Sequence, residues 1–263
     1  MNVDHENGGY LSVVMPVYNE QATLEHITRQ VMLIPGLLEL VIVDDHSTDR
    51  SQEIARSLAA SDDRIIYHRL PNNQGKTAAL KIGFALTQGD IVIVQDAGLE
   101  YDPHEIADVV APIRENRADV VYGSRFMVKK AARVLYFSHY VANKALTFMS
   151  NMLTNLNMSD IETCYKAFRG DIIRDLTISS TGFGFEAEVT AKIAKLKCAV
   201  YEVPISYYGR TYQEGKKIGL KDGIAAIWYI GWYNLGASVE SSFKSRGRAS
   251  LAPAAAMSVS AGS

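Results

Sequence analysis

The sequence predicts an α/β protein whose mainly parallel sheet is covered by helices on both faces. Three observations carry this. Short apolar runs alternate with helix-period segments through the first half of the chain. The runs are continuous rather than alternating, as strands buried on both faces are. Polar or acidic residues follow the runs at their carboxyl ends, where ligands bind in such sheets.

The first strand, near residues 11–16, comes from "LSVVMPVYNE" and is terminated by Pro16. Leu24, Ile27, Val31 and Ile34 then share one helical face. "LELVIVDDHSTD" is a second strand, followed by a helix carrying Ile54 and Leu58. "RIIYHRL" is a third strand. Ala79, Ile82, Gly83 and Leu86 mark the next helix, and "DIVIVQDA" is the fourth strand. Asp102 reads as an N-cap, with Pro103 first in the helix and Glu105 as capping-box partner. "ADVVYGSRF" is a fifth strand. Beyond it lie a helical stretch over 133–156, a strand-like "TCYKAFRGDII" running into a turn, and a helix with Phe185, Val189, Ile193 and Leu196. A strand at "AVYEVPISYYG" and a helix at "KDGIAAIWYIGWYNLGASV" complete the order. Residues 1–243 read as a single domain, and 244–263, rich in Ala, Ser and Gly, as a disordered tail.

Bulk properties narrow the function. The chain has 263 residues, 48% of them hydrophobic and 21% charged, as in a soluble globular protein. A net charge of −2 gives no reason to expect nucleic acid as a partner. Cys164 and Cys198 have no metal-like spacing, which fits a reducing compartment without a disulfide framework. The polar "MNVDHENGGY" at the amino terminus is not a signal peptide, so a cytoplasmic location is expected.

Four polar clusters converge on the carboxyl edge of the predicted sheet: Asn19-Glu20, Asp44-Asp45, Asp96 to Glu100, and Gly123-Ser124-Arg125. In "IVIVQDAGLEYDP" an extended chain puts residues 96, 98 and 100 on one side. Asp96 and Glu100 are carboxylates there, with Gly98 between them. Carboxylates on a strand end are hard ligands suited to Mg²⁺ or Mn²⁺, ions that bridge to substrate phosphates. A nucleotide diphosphate is the economical ligand. Gly75-Lys76 precedes a helix without the G-x-x-x-x-G-K-S/T spacing of a P-loop. The chain also lacks G-x-G-x-x-G after its first strand, a G-x-S-x-G elbow, and paired histidines at metal spacing.

These residues resemble a known family. "SVVMPVYNE", "LVIVDDHSTD", "NNQGKTAALKIGF", "GDIVIVQDAGLEYDP" and "YGSRF", in this order, are similar to a family 2 glycosyltransferase of the GT-A fold, a Rossmann-like sheet. "DIETCYKAFRG", "GFGFEAEVTAKIAK" and "YEVPISYYGRTYQEGKKIGLKDG" resemble the dolichol-phosphate mannosyltransferases and bacterial polyprenyl-phosphate glycosyltransferases. The resemblance covers about residues 10–235.

It implies inverting transfer of a sugar from a nucleotide-diphosphate sugar, GDP-mannose or a UDP-sugar, to a polyprenyl or dolichyl phosphate. Pro16, Tyr18 and Glu20 would line the nucleoside pocket, with Asp44 near the base or ribose and Asp45, Lys76, Asp96, Ala97 and Gly98 on the donor. Asp96 and Glu100 would hold the metal. Arg125 and Arg133 would grip the acceptor phosphate, and Arg210 and Lys216 would close over the donor diphosphate. Asp96, Arg125, Arg210 and Lys216 form the expected catalytic set. Glu186 and Glu188 read equally as site residues or as the polar side of their helix and are left out of the site.

The family pattern at 96–98 is Asp-x-Asp, whereas this chain has Asp96-Ala97-Gly98. A metal-impaired protein that binds donor with little turnover is therefore a second reading, and transfer to a soluble glycan a third. Gly223 to Val239 is uncharged but shorter than the roughly 20 apolar residues of a spanning helix. Trp228, Tyr229, Trp232 and Tyr233 are interfacial residue types, and Lys216, Lys217 and Lys221 precede them. Residues 219–239 thus read as a helix on the cytoplasmic membrane surface. Alternatively, they form a core helix with Ile224, Ile227, Trp228, Gly231 and Leu235 inward.

Overall fold

The computed structural model describes residues 9–127, 136–209 and 220–245. Arg133, Arg210 and Lys216 lie outside the described residues, as does the tail beyond Ser245.

Strand β1 (Leu11–Val17) leads into helix α1 (Leu24–Val31), β2 (Leu37–Asp44), α2 (Ser51–Ser61) and β3 (Ile65–Arg69). Then come α3 (Lys76–Leu86), β4 (Ile91–Val94), α4 (Ile106–Arg114), β5 (Val120–Ser124) and α5 (Phe137–Thr154). The chain continues through β6 (Lys166–Arg169), α6 (Gly170–Asp175), α7 (Phe185–Leu196), β7 (Val200–Pro204), α8 (Leu220–Gly236) and α9 (Val239–Ser242). The strands form one seven-stranded sheet in the order β3-β2-β1-β4-β6-β5-β7. Every neighbouring pair is parallel except the two that include β6, which runs antiparallel to β4 and β5.

The burial pattern follows from the apolar runs. Val13, Val14 and Met15 of β1, Leu40 to Val43 of β2 and Val92 to Val94 of β4 are all buried. A strand covered on both faces has no solvated side on which to alternate. Leu24, Ile27 and Val31 bury one stripe of α1, and Val109, Val110 and Ile113 one stripe of α4.

Several local expectations are corrected. Asp102 caps as predicted, accepting from His104 N at 3.0 Å, but Pro103–Glu105 form a 3₁₀ turn before α4 begins. Glu105 does not complete a capping box: its carboxylate accepts from Ser206 N and Oγ at 2.7 and 2.8 Å. A cross-chain demand from a buried loop outcompetes the local cap. The segment after β6 is helix α6, not a turn. Lys244 and Ser245, expected in the tail, are anchored: their backbone amides donate to Asp175 O and Oδ1 at 2.9 and 2.8 Å.

Helix α8 does not turn the expected core face inward. Ala226, Ile230 and Tyr233 are buried, whereas Ile224, Ile227, Trp228 and Leu235 are exposed. Among the described residues, no helix is long and apolar enough to cross a membrane.

Candidate active site

Four mutually parallel strands, β1, β2, β4 and β5, deliver the expected residues to one edge. At the end of β1, Asn19 adopts φ 55° and accepts from Thr48 N at 2.8 Å, while its own N donates to Ser47 Oγ at 3.0 Å. Glu20 N donates to Ser51 Oγ at 2.9 Å. The loops after β1 and β2 are thereby lashed together, with Pro16 partly buried and Tyr18 partly exposed beside them.

Asp44 and Asp45 both point inward. Asp44 accepts from Ser47 N at 2.8 Å and from Tyr67 Oη at 3.2 Å, with Arg69 Nε at 3.4 Å. Asp45 takes the backbone amides of Gln74 and Gly75, both at 2.7 Å. Burial pushes the Asp45 carboxyl up, against the lowering effect of those two amides. Its bonds fix the loop in which Gly75 takes φ 86° and launches α3 at Lys76. A side chain at Gly75 would strain that left-handed conformation and press on Gly182, whose Cα lies 3.0 Å from the Cβ position.

Lys76 is the hub. Its ammonium lies 2.9 Å from Asp96 Oδ1 and 3.5 Å from Glu186 Oε1. Thr77 N and Oγ1 both donate to Gly182 O, at 3.0 and 2.9 Å, so the start of α3 is tied to the turn before α7. Burial pushes the Lys76 ammonium towards neutrality, but Asp96 and Glu186 outweigh it and hold its pKa well above the usual lysine value. Burial likewise opposes ionisation of Asp96, yet Lys76 and the Cys164 thiol keep its pKa below the ordinary carboxylate value.

Around Asp96, Ala97 and Gly98 are buried and Glu100 is partly so. Tyr207 faces Arg125, Glu100 and Asp96 together; burial pushes its hydroxyl up, and the two carboxylates add to that. The Arg125 guanidinium lies over the Tyr207 ring, 5.2 Å from its centroid. Arg125 is otherwise given to Asp160, with Nε and Nη2 each 2.7 Å from a carboxylate oxygen. The Arg125 backbone N donates to the same group at 3.1 Å.

The antiparallel strand brings residues that the sequence reading missed. Because β6 runs against its neighbours, the segment before it, 160–165, enters at the edge where β4 and β5 end. Asp160, Glu162 and Cys164 arrive this way. Lys166, the first residue of β6, sends its ammonium back to Ile161 O at 2.9 Å and to Thr163 O. Glu162 Oε1 has no exposed surface and no hydrogen-bond partner. Burial pushes the Glu162 carboxyl up to about 7, with Glu186 adding to the effect.

The two glutamates of α7 separate cleanly. Glu186 faces Lys76 in the site, whereas Glu188 accepts from Ser179 N, Ser180 N and the Lys192 ammonium and is structural. "DIETCYK" and "FEAE" held the signal. Only the reversed direction of β6 and the tie between α3 and α7 bring Glu162 within electrostatic reach of Glu186.

A divalent ion would find two side-chain carboxylates on this edge, Asp96 and Glu100, with nothing from Gly98. Among the described residues no group of three or more His, Cys, Asp or Glu is placed to hold a metal. An ion held there would need substrate phosphate oxygens and water to complete its shell, and would share Asp96 with the Lys76 ammonium.

The comparisons with known proteins bear on the family and the fold. The family model described as "Glycosyl transferase family 2" matches residues 12–177. The chain is 28% identical over 226 residues to an undecaprenyl-phosphate mannosyltransferase of Micrococcus luteus, covering 83% of this chain and 92% of that one. It is 28% identical over 214 residues to a polyprenol monophosphomannose synthase of Mycolicibacterium smegmatis, covering 79% and 80%. An undecaprenyl-phosphate 4-deoxy-4-formamido-L-arabinose transferase of Edwardsiella ictaluri is also 28% identical, over 222 residues; the match covers 79% of this chain and only 62% of that longer protein. Among solved structures, glucosyl-3-phosphoglycerate synthase of Mycobacterium tuberculosis with Mn²⁺ and UDP-glucose superposes with a TM-score of 0.68 at 20% identity, covering 87% of this chain and 80% of that one. That likeness establishes the shared fold, and the family match over residues 12–177 makes this chain a member of glycosyl transferase family 2, a glycosyltransferase.

Proposed function

We propose that the chain moves a sugar, with inversion, from a nucleotide-diphosphate sugar to a polyprenyl phosphate at the cytoplasmic face of a membrane. One observation carries the acceptor side. Helices α5 and α8 pack together and expose apolar residues, among them Phe137, Phe148, Met152, Trp228, Trp232 and Leu235. Helix α5 also carries Asn143, whose Oδ1 lies 3.5 Å from Arg125 Nη2, so the apolar helices adjoin the Arg125 end of the site. An exposed apolar surface next to a polar cleft suits an acceptor with a lipid tail and a phosphate head. The names of the relatives from Micrococcus and Mycolicibacterium support the same acceptor class.

On this reading the nucleoside lies along Pro16, Tyr18 and Glu20, over the loops that Asp44 and Asp45 brace. The diphosphate lies by Asp96, Ala97 and Gly98, with the Lys76 ammonium beside it. Mn²⁺ or Mg²⁺ held by Asp96 and Glu100 would stabilise charge on the leaving diphosphate. Arg125 and Arg133 would face the acceptor phosphate, and Arg210 and Lys216 the donor. A lipid phosphate is already anionic at neutral pH, so its oxygen attacks without a general base. The protein's task is to hold two anionic groups together and stabilise the one that leaves.

A second reading is favoured by Gly98 and by the Lys76 ammonium on Asp96: a donor-binding protein with weak turnover. Both are tested by incubating GDP-mannose and a panel of UDP-sugars with protein, Mn²⁺ and liposomes, with or without polyprenyl phosphate. Nucleoside diphosphate release that depends on the lipid phosphate supports the proposal. Release driven only by a soluble acceptor replaces the lipid with a glycan, and binding without release leaves the second reading.

A further inference from the structure

We propose that Glu162, with Glu186 beside it, is a hydroxyl-binding subsite that selects the sugar of the donor. This rests on the reading of the Asp96 edge as the donor site.

Glu162 is held where it stands. On one side Arg125 grips Asp160 through two 2.7 Å bonds, and Glu202 accepts from the amides of Ser159 and Asp160 at 2.9 and 3.2 Å. On the other, the Lys166 ammonium binds the carbonyls of Ile161 and Thr163, the residues flanking Glu162. Glu162 as a residue is partly buried, with its backbone pinned at both sides. Its Oε1 nevertheless has neither exposed surface nor partner. Buried polar atoms are nearly always bonded, and one that is not calls for a group that completes it.

The surroundings say what that group is. Among the described residues, the charged side chains that act most strongly on Glu162 are Glu186, Lys166, Arg125 and Asp160. Lys166 is spent on two carbonyls and the face of the Tyr122 ring, 4.9 Å from its centroid. Arg125 bonds Asp160 through Nε and Nη2 and is the group assigned above to the acceptor phosphate. A phosphate would meet two carboxylates, Glu162 and Glu186, and be repelled. A neutral ligand with O–H donors satisfies Oε1 without that penalty, and a sugar offers several on one ring. The position agrees. Glu186 shares Lys76 with Asp96 at the proposed diphosphate end, and Glu162 feels the charges of both Glu186 and Arg125. A sugar passing from the donor diphosphate towards an acceptor at Arg125 moves between those groups.

The test is calorimetry with UDP, UDP-glucose, GDP and GDP-mannose on wild type and Glu162→Met, a substitution that removes both oxygens and keeps the volume. The quantity read is the Kd of nucleotide sugar divided by the Kd of the matching nucleoside diphosphate. For whichever base binds, this ratio is expected to rise about tenfold in Glu162→Met, with the diphosphate Kd moving less than twofold. Wild type is also titrated with donors lacking single sugar hydroxyls, and at least one should bind about tenfold more weakly than its parent. If Glu162→Met fails to fold, the deoxy series alone decides. An unchanged ratio in folded Glu162→Met, or a deoxy series that binds uniformly as well as the parent, overturns the subsite. If wild type binds none of the four ligands, the donor-site reading itself fails, a distinct result.

Discussion

Lys76 Nζ bridges Asp96 and Glu186, 2.9 Å from the first and 3.5 Å from the second, so one ammonium joins the end of β4 to the start of α7. Replacing it with an apolar side chain leaves two carboxylates facing each other in a largely buried site. Lys76→Met is expected to cost about 1–3 kcal/mol of stability, less than a fully buried pair because Asp96 retains some solvent. Nucleoside diphosphate affinity should fall tenfold or more. Urea unfolding and calorimetry check the two effects separately, and tight binding by the variant would remove Lys76 from the donor site.

Gly98 is buried, but the described glycines with positive φ are Gly36, Gly75 and Gly182, so the φ at 98 does not itself demand glycine. Gly98→Asp adds an oxygen ligand beside Asp96. The ratio of nucleotide affinity in Mn²⁺ to that in EDTA is expected to rise about tenfold. A folded variant with the wild-type ratio argues that the missing carboxylate is not what limits metal binding.

The Arg125–Asp160 pair is buried, and both partners are needed. Burial disfavours the charged Asp160, but Arg125 overrides it and holds the carboxyl below its ordinary range. That stabilisation is complete above the unfolded carboxylate pKa and is lost as pH falls through the lower folded value. Asp160→Asn should cost about 3–5 kcal/mol at neutral pH and flatten the acid limb of the stability profile. A loss of transfer in Asp160→Asn that equals the loss of folded protein would mark the pair as structural.

Glu162 has the opposite sign. Its carboxyl titrates near 7 in the folded protein because of burial, then Glu186, against the pull of Lys166 and Arg125, with Asp160 adding a smaller upward push. The folded state then binds more protons than the unfolded one from about pH 4.5 to 7, so stability falls as pH rises through that window. Glu162→Gln removes this slope and should be more stable than wild type above pH 7 by on the order of 1–3 kcal/mol. Parallel stability profiles for the two proteins would contradict the assignment.

The exposed faces of α5 and α8 predict a surface phenotype. Trp228 is 65% exposed and Leu235 81%, so polar residues there should change folding stability by about 0.5 kcal/mol or less. Trp228→Ser with Trp232→Ser should nevertheless reduce flotation with anionic liposomes severalfold. Wild-type protein that stays in the soluble fraction at low salt would argue against membrane contact through these helices.

The strand–helix order and the Asp96 edge were legible in the sequence for a simple reason. Parallel strands buried on both faces are written as continuous apolar runs, and the ligand edge follows from their direction alone. The Asp44 and Asp45 cluster was found the same way, but only packing shows that both carboxylates turn inward to brace loops. Helix α8 reads from sequence as core or interface alike, since its residues are apolar all round; its neighbours decide that Ala226 and Ile230 are buried and Trp228 is not. Glu186 stayed undecided in the sequence, as a site residue or the polar side of its helix, and Glu162 was out of reach for a deeper reason. Nothing local in "DIETCYKAFRG" states that β6 runs against the strands on either side, and only that reversal carries the segment before β6 to the edge where the parallel strands end. Strand direction within a sheet is fixed by pairing between residues far apart in the chain, so this half of the site belongs to the tertiary structure.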